Sequence, residues 1–145
     1  MNAFPPRLIE IIDDFQMCEG NEKIELLVQY SENMPELPIH LQGPPQEMQQ
    51  VEECMTPVFV KSELIDGGMQ FYFDVPPESP TIRGFAAILA EGMNGSTPDE
   101  ILNTPNDFYL QMGLGHVLSM QRLNGMAAIL AHMKRLATQA APGSF

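Results

Sequence analysis

An α+β domain, with helices packed on one face of a small antiparallel sheet, is the fold that this 145-residue chain predicts. Three observations predict it. Apolar residues recur at helical spacing before residue 35. Two β-rich runs between residues 58 and 73 flank an Asp-Gly-Gly turn, and proline-opened helical segments follow from Ser79 onward.

Pro5-Pro6 opens the first helix, because proline at the first helical position loses no internal hydrogen bond. Leu8, Ile11, Ile12 and Phe15 form its apolar face, and the pattern runs to about Glu19, with Gly20 closing it. Asn21 reads as the next N-cap, Ile24, Leu27 and Val28 as the buried face, and Pro35 as the stop. Pro35, Pro38, Gly43, Pro44 and Pro45 make residues 35–46 an extended surface connector. Met48–Glu53 reads as a short strand that delivers the chain to Cys54. Val58 then opens a strand to about Ile65, Asp66-Gly67-Gly68 supplies the positive-φ residues of a tight hairpin, and Met69–Phe73 returns as its partner.

Ser79 is placed to cap a helix with Pro80 at its first position and Ile82, Phe85, Ala86 and Leu89 on its apolar face. Gly92 suits the left-handed residue past its end. Thr97-Pro98-Asp99-Glu100 combines an N-cap, a first-position proline and a capping-box glutamate. Pro105-Asn106-Asp107 starts another helix, which Gly113 ends. Ser119 caps the last and longest, with Leu123, Met126, Ala127, Leu130 and Met133 facing the core and Lys134 and Arg135 near its negative end. One domain accounts for residues 1–145, with flexible ends expected at about 1–4 and in the Ala/Gly/Ser tail 139–145.

Nineteen acidic against seven basic residues give a net charge of −12. Such a surface repels phosphate backbones and anionic membranes, which argues against nucleic-acid and membrane partners. It serves solubility, and part of it could dock on a basic patch of a partner protein. No signal-peptide pattern and no bilayer-length apolar run is found, so a cytoplasmic location is expected. Cys18 and Cys54, the two cysteines, are too few for a disulfide framework or a Cys-rich metal or cluster site. Neither His40, His116 and His132 nor any carboxylate pair shows ligand or catalytic spacing, and no phosphate loop or nucleophile elbow occurs. The eleven methionines read as core filling. No cofactor is expected.

Cys54 stands between a candidate strand and the hairpin, in Val51-Glu52-Glu53-Cys54-Met55-Thr56-Pro57-Val58-Phe59. Pro57 cannot donate to a ladder, so the chain leaves regular pairing there. A thiol on a loop held by a rigid sheet is a candidate nucleophile; a small buried hydrophobe is the other reading. Cys18, near the end of the first helix, reads as a bystander, since helix N-termini rather than C-termini depress a thiol pKa.

The segment Glu53–Phe59 resembles the Cys-x-(Ser/Thr)-x-Val-(Trp/Phe) segment of the SufE family. Ser79-Pro80-Thr81-Ile82-Arg83-Gly84-Phe85-Ala86 resembles that family's helix-opening segment, and Leu118–Met126 its Leu-(Thr/Ser)-x-x-Arg-x-x-Gly-(Leu/Met) segment. Pro6–Phe15 and Leu26–Ser31 match in place and order, so the likeness spans about residues 6–137. It implies a fold similar to that of IscU, with the acceptor cysteine on a loop at one end of the sheet. It also implies that Cys54 accepts a persulfide sulfur from a SufS-like, pyridoxal-phosphate-dependent cysteine desulfurase, which the protein stimulates. The sulfur would then pass to a SufB-like iron–sulfur scaffold. The protein would not be an enzyme alone, and would be a monomer or weak homodimer. Glu53, Met55, Thr56, Arg83 and Arg122 are the implied supporting or partner-binding residues, Met55 replacing a glutamine common in the family. Glu52 and Glu53 are expected to raise the Cys54 pKa, and Arg83 and Arg122 to lower it if they turn toward the loop rather than into solvent. The competing functions are an IscU-like scaffold and an adaptor that activates a desulfurase with Cys54 inert.

Overall fold

The computed structural model describes residues 5–42 and 48–140. Helix α1 (Pro6–Gln16) has Pro5 at its N-cap and buries Leu8, Ile11, Ile12 and Phe15, as their spacing requires. It ends three residues earlier than expected. Cys18 thus lies in the link to α2 (Glu22–Glu32), whose N-cap, Asn21, makes no side-chain capping bond. Leu27 is buried, but Ile24 and Val28 are only half-buried, because their side of α2 borders a cleft. Among its described residues the connector forms a 3₁₀ turn, Ile39–Leu41; its residues Gly43–Gln46 lie outside the described residues.

Three antiparallel strands follow in the order β1 (Gln49–Gln50), β2 (Phe59–Ile65) and β3 (Gly68–Asp74). The expected strand at 48–53 is cut to two residues, since the chain turns at Val51 to make the Cys54 loop. Ile65 pairs with Gly68 across a two-residue turn, Asp66 (φ 52°) and Gly67 (φ 82°), the mirror-image geometry that matches strand twist. Met69, Phe71 and Phe73 alternate inward with Val60 opposite Phe73, giving the sheet its apolar face. The outer edge of β3 is occupied by the segment after α3. Gly95 donates to the Met69 carbonyl, Met69 to Ser96, and Phe71 to the Asn94 side chain, each at 2.8 Å.

Helix α3 (Pro80–Met93) crosses the middle of the molecule, touching α1, α2, β3 and α5. All its residues except Pro80, Arg83 and Glu91 are buried. A Cβ built on Gly84 would lie 2.1 Å from the Leu27 carbonyl oxygen, so glycine is what lets α2 and α3 cross this closely. Gly92 is not the terminating residue. It lies inside α3 against Leu8, and the left-handed turn falls at Gly95 (φ 88°). Thr97 and Glu100 form the expected capping box of α4 (Pro98–Asn103). The helix expected after Pro105 is reduced to 3₁₀ turns at Phe108–Leu110 and Leu114–His116, with Gly113 (φ 80°) between them.

Helix α5 (Met120–Ala140) starts where Ser119 Oγ accepts from the Arg122 N–H. It buries Leu123, Met126, Leu130 and Met133 as expected; Ala127 is only half-buried. It also runs past Lys134 and Arg135, which therefore stand more than a turn short of its C-terminal end. Of the ends expected to be flexible, residues 1–4 and 141–145 lie outside the described residues, while Gln139 and Ala140 complete α5.

Candidate functional site

The Cys54 loop is short and closed at its neck. Val51 donates to the Val58 carbonyl at 2.9 Å, and Cys54 N–H donates to the Val51 carbonyl at 3.2 Å. The loop therefore folds back from the β1–β2 ladder and lays the Cys54 side chain against α5. Cys54 is only 6% exposed. Its seat is made by Gly125, where a Cβ would stand 3.1 Å from Cys54 Sγ and 3.3 Å from Ile82 Cδ1.

Cys54 lies in the wall of an open cleft of about 410 Å³. Helix α2 contributes Ile24 and Val28, and the loop contributes Met55 and Thr56. The first turn of α3 supplies Ser79–Ile82, preceded by Glu78, and α5 supplies Gln121, Arg122 and Gly125. The cleft thus gathers both segments, Ser79–Ala86 and Leu118–Met126, around the thiol. Met55, which lines the cleft, is 79% exposed and marks its mouth.

Burial pushes the Cys54 thiol above its ordinary pKa, because a thiolate loses hydration there. Hydrogen bonds from the Thr56 backbone and hydroxyl to the sulfur hold part of that rise back. The expected raising is present, but its source is burial rather than Glu52 and Glu53, both of which are exposed. Glu53 is turned to Arg135, at 3.4 Å.

Of the two arginines expected near the loop, only Arg122 reaches the cleft. It makes no ion pair among the described residues. Arg83 is turned away. Its Nε donates to the Ser31 carbonyl at 3.2 Å and its terminal nitrogen to the Val75 carbonyl at 2.5 Å, tying α2 and the end of β3 to α3. Arg83 is thus an internal tether, half-buried between carbonyls at a helix end and just past a strand end.

Several cleft residues were not singled out in the sequence. Thr81, Gln121 and Gly125 stand inside family-like segments, and that position was the available signal. Ile24 and Val28 carried only a core pattern. A second group backs the loop from behind. Arg135 donates to His132 Nδ1 at 3.2 Å, so the His132 proton sits on Nε2, which donates to Gln49 Oε1 at 2.9 Å. Burial and the Arg135 charge lower the His132 pKa, Glu53 opposing, and the ring stays neutral. His40 pairs with Glu63 at 2.8 Å on the outside of the sheet. Among the described residues no three His, Cys, Asp or Glu side chains gather as a metal site would need, and no helix is long and apolar enough to cross a membrane.

The sequence family described as "SufE: Fe-S metabolism associated domain" matches residues 9–137. A SufE-like protein of Mycobacterium tuberculosis is 39% identical over 134 residues, 92% of each chain. The chloroplastic/mitochondrial SufE-like protein 1 of Arabidopsis thaliana is 33% identical over 138 residues, 94% of this chain and 36% of that one. The solution structure of a protein from Thermus thermophilus superposes with a TM-score of 0.82 at 32% identity, covering 94% of this chain and 97% of the other.

Proposed function

The chain belongs to the SufE family, and from that premise we propose that it is a sulfur acceptor, taking persulfide sulfur from a cysteine desulfurase onto Cys54 for iron–sulfur cluster assembly. The observation that carries this is the placement of Cys54: a thiol in the wall of an open cleft, on a short loop, beside the two other segments that resemble the family.

In the transfer, the Cys54 thiolate attacks the outer sulfur of the donor Cys–S–SH. The donor S–S bond breaks, its cysteine leaves as thiolate, and Cys54 carries the sulfur onward. Only the thiolate attacks, and burial disfavours it in the free protein. Docking of the desulfurase at the cleft mouth, over Met55, Thr56 and Arg122, supplies the missing activation by moving the loop and bringing cationic groups to the sulfur. The carbon–sulfur bond of free cysteine is broken by the pyridoxal phosphate of the partner, which this protein stimulates. A SufB-like scaffold receives the sulfur, in the cytoplasm, from a monomer or weak dimer. An IscU-like scaffold role is less well supported, since a cluster takes about four ligands and the chain has two cysteines.

Incubation with a cysteine desulfurase and cysteine tests the assignment by mass spectrometry. A one-sulfur increase on the peptide holding Cys54, absent in Cys54→Ser, is the expected result. Full stimulation of the desulfurase by Cys54→Ser, with no sulfur on the wild-type protein, would instead make this an adaptor. Fast, pH-independent alkylation of the isolated protein near neutral pH would refute the protected resting thiol.

A further inference from the structure

The first turn of α3 opens into the Cys54 cleft with its backbone donors unclaimed. Ser79 stands at the N-cap but makes no side-chain capping bond, and Pro80 has no N–H. The N–H groups of Thr81 and Ile82 are thus left uncapped at the positive end of a 14-residue helix. A second observation is independent of the helix end. Thr81 is only 7% exposed and lines the cleft, and its hydroxyl makes no hydrogen bond among the described residues. Since no sealed side-chain oxygen among the described residues lacks a partner, this one keeps some exposure, and the cleft is the opening that Thr81 lines. A buried hydroxyl aimed into a cleft beside uncapped helix donors is a seat for an anion.

We propose that the Thr81 hydroxyl and the first turn of α3 hold the terminal sulfur of a Cys54 persulfide as an anion. Granted the sulfur-acceptor role, the step balances without an oxidant. Cys54–S⁻ and R–S–SH give Cys54–S–SH and R–S⁻, and the new persulfide then passes its proton to the departing thiolate, leaving Cys54–S–S⁻ and R–SH. A persulfide is a stronger acid than its parent thiol, so a seat for the outer sulfur favours the loaded form over the free one. The inner sulfur is pinned against Gly125 and Ile82, where burial opposes charge. The outer sulfur extends into the open volume of the cleft. Two charged side chains lie on the cleft wall, Glu78 beside the α3 start and Arg122 on α5, and they are of opposite sign. Helix α2 and the Cys54 loop contribute only uncharged groups to it.

The test loads the full-length protein chemically, with inorganic polysulfide, so that it needs no desulfurase. The pH midpoint for iodoacetamide alkylation of persulfidated Cys54 is then compared in wild type, Thr81→Val and Thr81→Ser, with loading and labelling followed by mass. In Thr81→Val the anionic fraction below the midpoint should fall by roughly three- to tenfold, the midpoint moving up by about half to one pH unit. Thr81→Ser should restore it, and the unloaded thiol should titrate alike in all three. An unchanged midpoint in Thr81→Val, or an equal shift in loaded and unloaded protein, would overturn the proposal. A desulfurase that leaves wild-type Cys54 unloaded would sink the acceptor role instead, without touching this measurement.

Discussion

Replacing Gly125 by alanine probes the seat of the thiol directly. The added methyl would lie 3.1 Å from Cys54 Sγ and 3.3 Å from Ile82 Cδ1, where relaxed contacts need about 3.5–4.0 Å. Two neighbours must therefore each give by a few tenths of an ångström. In the interior of α5, alanine is favoured over glycine by about 0.8–1 kcal/mol. Overpacking a filled site costs about 1–3 kcal/mol. The difference leaves Gly125→Ala between neutral and about 2 kcal/mol less stable. Of the two neighbours, Cys54 belongs to a short loop and Ile82 to a buried helix, so the sulfur should be the one displaced. Urea unfolding measures the first effect, and an iodoacetamide time course on the folded protein the second. The expected outcome is no gain in stability together with faster alkylation of Cys54. A variant more stable by the full helix-propensity gain, and alkylated at the wild-type rate, would show that Gly125 does not hold the thiol.

Gly84→Ala would press a methyl to 2.1 Å from the Leu27 carbonyl, on backbone that cannot swing aside. It should lose at least about 3 kcal/mol in urea unfolding or fail to fold; a loss below about 1 kcal/mol would refute the close crossing of α2 and α3. Thr97→Ala removes one half of the α4 capping box and should cost about 1 kcal/mol while leaving Cys54 alkylation unchanged. His132 has a lowered pKa, so the unfolded chain takes up the proton first. Its contribution to stability is present above the ordinary histidine value of 6.5 and is lost as pH falls below it. His132→Asn should flatten the fall in unfolding free energy as pH drops below about 6.5, and an unaltered slope would show that the ring is not held neutral.

The elements that local chemistry specifies were legible in the sequence. The Asp66-Gly67 hairpin, the Thr97 capping box and the apolar face Leu8–Phe15 each follow from residues within one or two turns of one another. What distance along the chain separates was not legible. Ile24 and Val28 carry the spacing of core residues, yet they border the cleft because α3 and α5 begin there without closing over them. Arg83 and Arg122 look alike in sequence, each near the start of a helix. One is consumed by the Ser31 and Val75 carbonyls and the other is left at the cleft. Cys54 could be picked out by its loop and its neighbours. Its protonation state could not, because burial against Gly125, far along the chain, and not the adjacent carboxylates, governs it.

Helix α3 is embedded on nearly every side, and the end of that helix forms one jaw around Cys54. The opposite jaw is a short excursion hinged at the Val51–Val58 bond. Shifting the first jaw would disturb four elements at once; shifting the second disturbs little beyond itself. Under the proposed acceptor role, handover of sulfur would work like a vice with one fixed face. Each visiting protein would meet the same rigid backstop, and differences between donor and recipient would be expressed in how far each one draws the movable side.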